Sequence, residues 1–291
     1  MIFLSAENWQ AAECAHGERL AKYVEAHLAR KGCGETEPVL DFLFSYYSLR
    51  PAPLLKWSPG LGVVLEGVEA EKFLADTRFQ KVDGGVALDQ SRLHEDRAKG
   101  LQWTLALLTT VQQRRPAFNC FGLHEWAMVF AERDIRHSTV PLRLTHEEID
   151  EFVKSQNLSC THFDAFRFFT REARPLNRHE LSRESQISFD QPGCVHVSMD
   201  LYKWAYKLSP WIDSAILADA FELAMKARIL DMQASPYDLS GHGYSPVLIE
   251  TVEGREEYES RQKELTRLAD PVRERLITAY SLACNAWPVK T

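Results

Sequence analysis

The residues of this chain best placed for chemistry lie in Gln191-Pro-Gly-Cys-Val-His196-Val-Ser-Met-Asp200-Leu-Tyr-Lys-Trp204-Ala-Tyr-Lys-Leu-Ser-Pro210. His196, Asp200 and Trp204 follow at steps of four, so a helix there presents all three on one face. An imidazole and a carboxylate stacked this way can share one metal ion, or act as an oriented acid and base. A bare surface pair gives the same spacing. The neighbours Gly193, Cys194, Tyr202 and Lys203, however, read as a pocket wall rather than a solvated face.

Other segments concentrate ionisable and aromatic residues. In Phe121–Phe130, His124 and Glu125 stand about 100° apart on a helix, which suits His124 as a ligand and Glu125 as its support or as a general base. Met128 occupies the position where a zinc protease would carry its second histidine. A core helix with one hydrogen-bonded histidine is the alternative. In Thr161–Phe169, a strand would project His162 and Asp164 from one face, whereas a helix would separate them. Arg167 needs a partner if it is buried, and Asp164 could be that partner. Asp231 falls late on a predicted long helix, where the macrodipole disfavours a carboxylate that has no partner. It is therefore a candidate binding or catalytic group. Asp238 reads as a turn cap, His242 between two glycines as a loop residue, and Arg136-His137 as a surface pair.

The elements that must position these groups are mostly helical. Ser5 can cap a helix over 6–30 with Trp9, Leu20, Val24 and Leu28 along one side, ended by Gly32 and Gly34. The aromatic run from Pro38 to Pro51 predicts a short buried helix. Glycine and proline punctuation over 57–88 predicts loops or a small hairpin. Helical periodicity spans Gln90–Gln113, and Thr145-His-Glu-Glu148 is a capping box. A long amphipathic helix follows Pro210, and Asp270-Pro271 predicts a restart of the last helix with a first-turn proline. The expected fold class is mainly α: a single helical domain over 1–291 with a small irregular or β insertion.

Composition narrows the function classes. The chain has 291 residues, 45% hydrophobic and 26% charged, the balance of a water-soluble globular protein near the upper size for one core. A formal charge of −7 disfavours broad attraction to nucleic acid or anionic membranes. The six scattered cysteines form no CxxC pair, so reduced thiols and a cytoplasmic location are expected. No secretory signal pattern and no apolar run of about 20 residues occurs, so no membrane partner is expected. A Walker loop, a dinucleotide fingerprint, a nucleophile elbow, a kinase set and a helix-hairpin-helix glycine loop are all missing from the sequence.

Five strings (PVLDFLFSYYSLRP, GLHEWAMVF, THFDAFRFF, QPGCVHVSMDLYKWAYKLSP and LDMQASPYDL) resemble a bacterial family, frequent in actinomycetes, often labelled 3-methyladenine DNA glycosylase. The resemblance runs from about Pro38 to Tyr258. It implies hydrolysis of the N-glycosidic bond of an alkylated purine, and it carries no catalytic residue assignment onto this chain.

Three readings follow. The leading one is a metalloenzyme. His124, His162 and His196, with Asp200, are its candidate metal ligands, and Glu125, Asp164 and Asp231 its candidate catalytic carboxylates. Mixed imidazole and carboxylate ligands suit a divalent ion, with Fe favoured and Zn or Mn as alternatives. Two histidines and one carboxylate suit a non-haem iron oxidoreductase. Its substrate would be a small aromatic or heterocyclic molecule, any anion held by Arg167 or Lys203 and its ring by Trp126, Tyr202 or Trp204. The second reading is a metal-free N-glycosylase acting on DNA or a nucleoside, with Asp200 or Asp231 activating water or stabilising an oxocarbenium-like ion. The third is a non-catalytic ligand-binding protein whose histidines are satisfied core groups. A homodimer is compatible with all three.

Overall fold

The computed structural model describes residues 1–93, 98–132 and 140–286. Its strands are β1 (Ile2–Leu4), β2 (Val63–Leu65), β3 (Phe79–Val82) and β4 (Gly85–Leu88). The α-helices are α1 (Ala6–Gly32), α2 (Phe42–Tyr46), α3 (Ala98–Gln113), α4 (Leu123–Ala127), α5 (His146–Ser155), α6 (Phe163–Phe166), α7 (Gln186–Phe189), α8 (Val195–Leu208), α9 (Ser214–Gln233) and α10 (Val252–Ala286). The protein is mainly α, with one small four-stranded sheet.

The core is a packed set of long helices: α8 lies against α9, and α10 packs on α3, α8 and α9. Tyr202, Phe221, Tyr258 and Tyr280 are sealed between them, and the Tyr280 hydroxyl donates to the Trp204 carbonyl at 2.9 Å. Burying a polar tip is tolerable here because it is hydrogen-bonded. Asp213 caps α9 by accepting from the Ala215 amide at 2.8 Å. Thr145 and Glu148 form the expected capping box on α5.

Several expectations are corrected. The sheet is not confined to 57–88, because β1 from the N-terminus pairs in parallel with β2 and the strand order is β1-β2-β4-β3. Three residues are too few to show a period, so β1 was invisible to pattern reading. The last helix does not restart at Pro271. α10 runs through it, and Asp270 pairs with Arg273 at 2.7 Å instead of capping. Packing against three other helices outweighs the loss of one backbone hydrogen bond. Leu28 is 47% exposed, whereas Trp9, Leu20 and Val24 are fully buried as predicted. Within the helix expected over Gln90–Gln113, Gln90–Arg92 form a 3-10 turn and Ala98–Gln113 are α-helical, with 94–97 outside the described residues. Arg136 and His137 also lie outside the described residues.

Two glycines set up the site. Gly193 lets the chain entering α8 pass against α3's exit, since a Cβ there would sit 2.5 Å from the Ala117 carbonyl oxygen. Gly122 holds the left-handed turn (φ 69°) that starts α4, against Tyr258 and Ala234.

Candidate metal centre

α4, α8 and α9 converge their polar groups on one buried point. His124 comes from α4, His196 from the first turn of α8 and Asp231 from the last turn of α9. One ligand atom from each lies within 4.8 Å of the others. His124 Nδ1 is 3.4 Å from Asp231 Oδ1, and His196 Nε2 is 3.7 Å from Asp231 Oδ2. Charge-assisted hydrogen bonds are shorter, about 2.7–2.9 Å. Two donors each about 2.1 Å from an ion, at a tetrahedral angle, stand about 3.4 Å apart. The spacing is one that ligands around a cation would also have.

The surroundings orient these ligands. His124 turns its second nitrogen, Nε2, to Glu125 Oε1 at 3.4 Å, the carboxylate–histidine arrangement that fixes an imidazole for metal binding. Arg228, fully buried one turn before Asp231, reaches Glu125 Oε1 at 2.7 Å and Asp231 Oδ2 at 2.9 Å, and stacks on Phe42 with 3.7 Å to the ring centroid. Asp231 Oδ1 makes no hydrogen bond. Burial pushes the Asp231 carboxyl up, with His124 and Arg228 pulling against it. Burial, with the neighbouring His124 and His162, pushes His196 well below the usual imidazole value.

A second group sits beside the first. His162, Asp164 and Asp200 also offer ligand atoms within 4.8 Å of one another, and the His162 ring stacks on His196 with centroids 5.7 Å apart. Here a cation is already built in. The Lys203 ammonium hydrogen-bonds Asp200 and also reaches Asp164 at 3.4 Å. The Tyr47 hydroxyl donates to Asp200 Oδ1 at 2.8 Å. His162 Nδ1 is anchored on Asp190 Oδ1 at 3.0 Å, with Asp190 held in turn by Gln186 at 2.9 Å. Burial would lower the His162 pKa, but Asp190 and Asp200 outweigh it and the value is raised. Around both groups, Glu125, Asp164, Asp190, Asp200 and Asp231 outnumber the inward-reaching cations Arg228 and Lys203, and Arg167 and Arg183 reach Asp164 from the surface. Protons on histidines or a bound cation would balance that excess.

The three predicted histidines thus meet, the rings of His124 and His196 standing edge to face with centroids 4.1 Å apart. His196 and Asp200 do not share one group. One turn of α8 carries Asp200 to Tyr47 and Lys203 instead, and Asp231 stands beside His196 where the spacing predicted Asp200. The strand predicted for His162 is a loop leading into α6, with His162 in its N-cap position and Asp164 in the first turn. Trp126 and Tyr202 are fully buried. The Trp126 indole donates to the Ala234 carbonyl at 2.7 Å, which makes it a core anchor rather than a substrate wall. Arg167 pairs with Asp164 at 3.3 Å and lies half out in solvent. Lys203 and Trp204 line a large cleft. Asp190, Arg228 and Tyr47 escaped the sequence reading. Arg228 at three before Asp231 was a readable i, i+3 pair, and Asp190 directly precedes the Gln191 string, whereas nothing local marks Tyr47.

Access to the centre is graded by size. Two small cavities of about 20 Å³ each flank His124 and His196, one walled by Cys120, Cys160 and Cys194, the other by Phe42, Tyr46 and Phe168. That is room for one water or a diatomic molecule. The large cleft, about 1510 Å³, shares Asp164 with the second small cavity.

No protein-family model, no curated protein and no solved structure matches this chain. No helix among the described residues is long and apolar enough to cross a membrane.

Proposed function

We propose that this protein is a metal-dependent enzyme, a non-haem iron-type oxidoreductase acting on a small aromatic or heterocyclic molecule. The observation that carries the reading is the convergence of His124, His196 and Asp231 at metal-ligand spacing without mutual hydrogen bonds. Two imidazoles and one carboxylate on one side of an ion leave its other positions open. An iron ion in such a set supplies dioxygen chemistry, while zinc or manganese would supply Lewis acidity. Glu125 and Arg228 hold His124 and Asp231 in place, and the small flanking cavities admit water or dioxygen while excluding anything larger. Asp200, hydrogen-bonded by both Tyr47 and Lys203, is the group placed to accept or hold a proton between the centre and the cleft. The reading includes a single domain in the cytoplasm.

The test is elemental analysis of untagged protein, after anaerobic Fe(II) reconstitution, beside His124→Ala, His196→Ala and Asp231→Asn. Near-stoichiometric metal in the parent and its loss in all three variants is the expected result. Absence of metal from the reconstituted parent overturns the reading.

A second reading, the N-glycosylase implied by the family resemblance, is favoured by one observation: Asp200 is buried and clamped by Tyr47 and by Lys203, and Lys203 in turn lines the aromatic-walled cleft. A carboxylate held that way is suited to stabilising an oxocarbenium-like ion. Release of free base from alkylated DNA or a nucleoside by metal-free protein would establish it.

A further inference from the structure

The large cleft has a chemical character at odds with the rest of the molecule. The chain carries a formal charge of −7, yet the cleft gathers an excess of lysine and arginine. Part of that positive charge is spent locally: Lys72 pairs with Glu13, Arg78 with Asp76, and Lys203 and Arg183 with Asp164. Arg50, Lys56 and Lys207 are exposed on the same walls, and among the described residues none of them forms a salt bridge, although Asp76 lies near Lys56 and Asp164 and Asp200 near Lys207. They are brought together by the C-terminal end of α8. The Tyr206 hydroxyl donates to the Arg50 carbonyl at 3.0 Å, Lys207 follows Tyr206, and Ser58, two residues beyond Lys56, donates to the Pro210 carbonyl at 2.6 Å. Burial and the neighbouring Lys203 charge push the Lys207 pKa down, as crowded like charges do.

The same wall offers a flat surface. Trp103 is 37% exposed in the cleft and meets Trp204 edge to face, centroids 5.7 Å apart. Lys203 and Lys207 lie over Trp204 at 4.3 and 5.0 Å from its ring centroid. An open indole therefore stands next to Lys207, which forms no salt bridge among the described residues, and to Lys203, which is held by Asp200 and Asp164. Stacking and charge pairing from adjacent groups recognise a ring that carries an anionic arm.

We propose that this cleft binds a small planar heterocycle bearing a phosphate, a ligand of nucleotide type, with its ring on Trp103 and its anionic arm among Arg50, Lys56 and Lys207. The cleft volume exceeds the several hundred Å³ of an ordinary ligand pocket, so a mononucleotide fits with room for a second group. Asp164, common to the cleft and to the cavity beside His124 and His196, places the ligand's far end next to the metal centre. What happens to the ligand there rests on the metal-enzyme reading. Its binding does not.

The experiment is calorimetric titration of the full chain with adenosine 5′-monophosphate, adenosine, inorganic phosphate, benzene-1,3,5-tricarboxylate and a single-stranded oligonucleotide. It is repeated on Lys56→Glu/Lys207→Glu and on Trp103→Ala, with metal content and melting temperature recorded for each. The monophosphate is expected to bind at least tenfold more tightly than adenosine, phosphate or the tricarboxylate. The charge-reversed variant should weaken it at least tenfold, and Trp103→Ala should lower its affinity towards that of phosphate alone. Metal content should stay that of the parent in both variants. Failure of the monophosphate to bind at millimolar concentration overturns the proposal. So does affinity unchanged in folded variants, a tricarboxylate that binds as well, or an oligonucleotide that binds far more tightly with a steep salt dependence. Loss of metal from the parent with nucleotide binding intact would instead remove the metal-enzyme reading alone.

Discussion

The Arg228 guanidinium bonds Asp231 and Glu125 at once, at 2.9 and 2.7 Å, from a position that is itself fully buried. It leaves Asp231 Oδ1 facing His124, and it fixes the carboxylate that backs the His124 ring. A ligand carboxylate that is half neutralised in advance can be buried without a metal and still offer one oxygen to it.

Replacing Arg228 with methionine should therefore cost more than a lost hydrogen bond. Two buried carboxylates would lose their shared counter-charge, a change typically worth about 3–5 kcal/mol. Denaturant unfolding of the metal-free protein measures this directly. Arg228→Met/Glu125→Gln, which removes one of the stranded charges, should recover part of the loss.

The two carboxylates on either side of the stacked His162 and His196 rings should separate in metal analysis. Asp231→Asn should reduce bound metal at least tenfold, whereas Asp200→Asn should leave it near the parent level, because Asp200 is engaged by Lys203 and Tyr47. Equal loss in both variants would mean that the two groups hold one shared ion.

Asp190 should set the basicity of His162. Burial lowers the His162 pKa, and the Asp190 contact is the largest of the effects that raise it again. Asp190→Asn is expected to lower the His162 pKa, read as a midpoint moved to lower pH in an NMR pH titration of the imidazole protons in metal-free protein. An unchanged midpoint would show that Asp190 does not govern it.

Far from the site, Asp41 ties α1 to α2. Burial alone would raise its pKa, but hydrogen bonds from Arg30, the Glu37 amide and His27 outweigh this and hold it below the usual carboxylate value. A carboxyl depressed on folding stabilises the protein above its unfolded pKa of about 3.9, and that contribution fades as pH falls through the lower folded value. Asp41→Asn should then be less stable than the parent at pH 7. The difference should shrink progressively below about pH 4, as followed by urea midpoints across pH.

Trp126→Ala tests the placement of that indole in the core. Loss of a fully buried tryptophan and its bond to the Ala234 carbonyl should cost about 3–5 kcal/mol and shift the thermal midpoint. Trp103→Ala, in the open cleft, should leave the midpoint within a few degrees.

Sequence pattern revealed the parts of this molecule governed by local rules. Ser5 and Thr145 cap helices where their side chains predict, and the histidines stand out because each lies among aromatic residues beside a carboxylate. Their convergence was beyond it. His124 and Asp231 are brought together by the packing of α4 on the end of α9, and no periodicity spans such a separation. Tyr47 reaches Asp200 across 153 positions for the same reason. The helix through Pro271 shows the opposite failure, where a correct local signal was overruled by burial against neighbouring helices.

Lys203 gives the two neighbouring cradles unequal fates. Its ammonium is a counter-ion on a leash: a chelator would strip any ion bound by His124, His196 and Asp231, but it cannot remove a charge carried covalently by the Lys203 side chain. Dialysis against a chelator should thus yield an empty first cradle inside a molecule whose second one is still electrically closed, and which is ready to be reloaded with whichever metal is supplied.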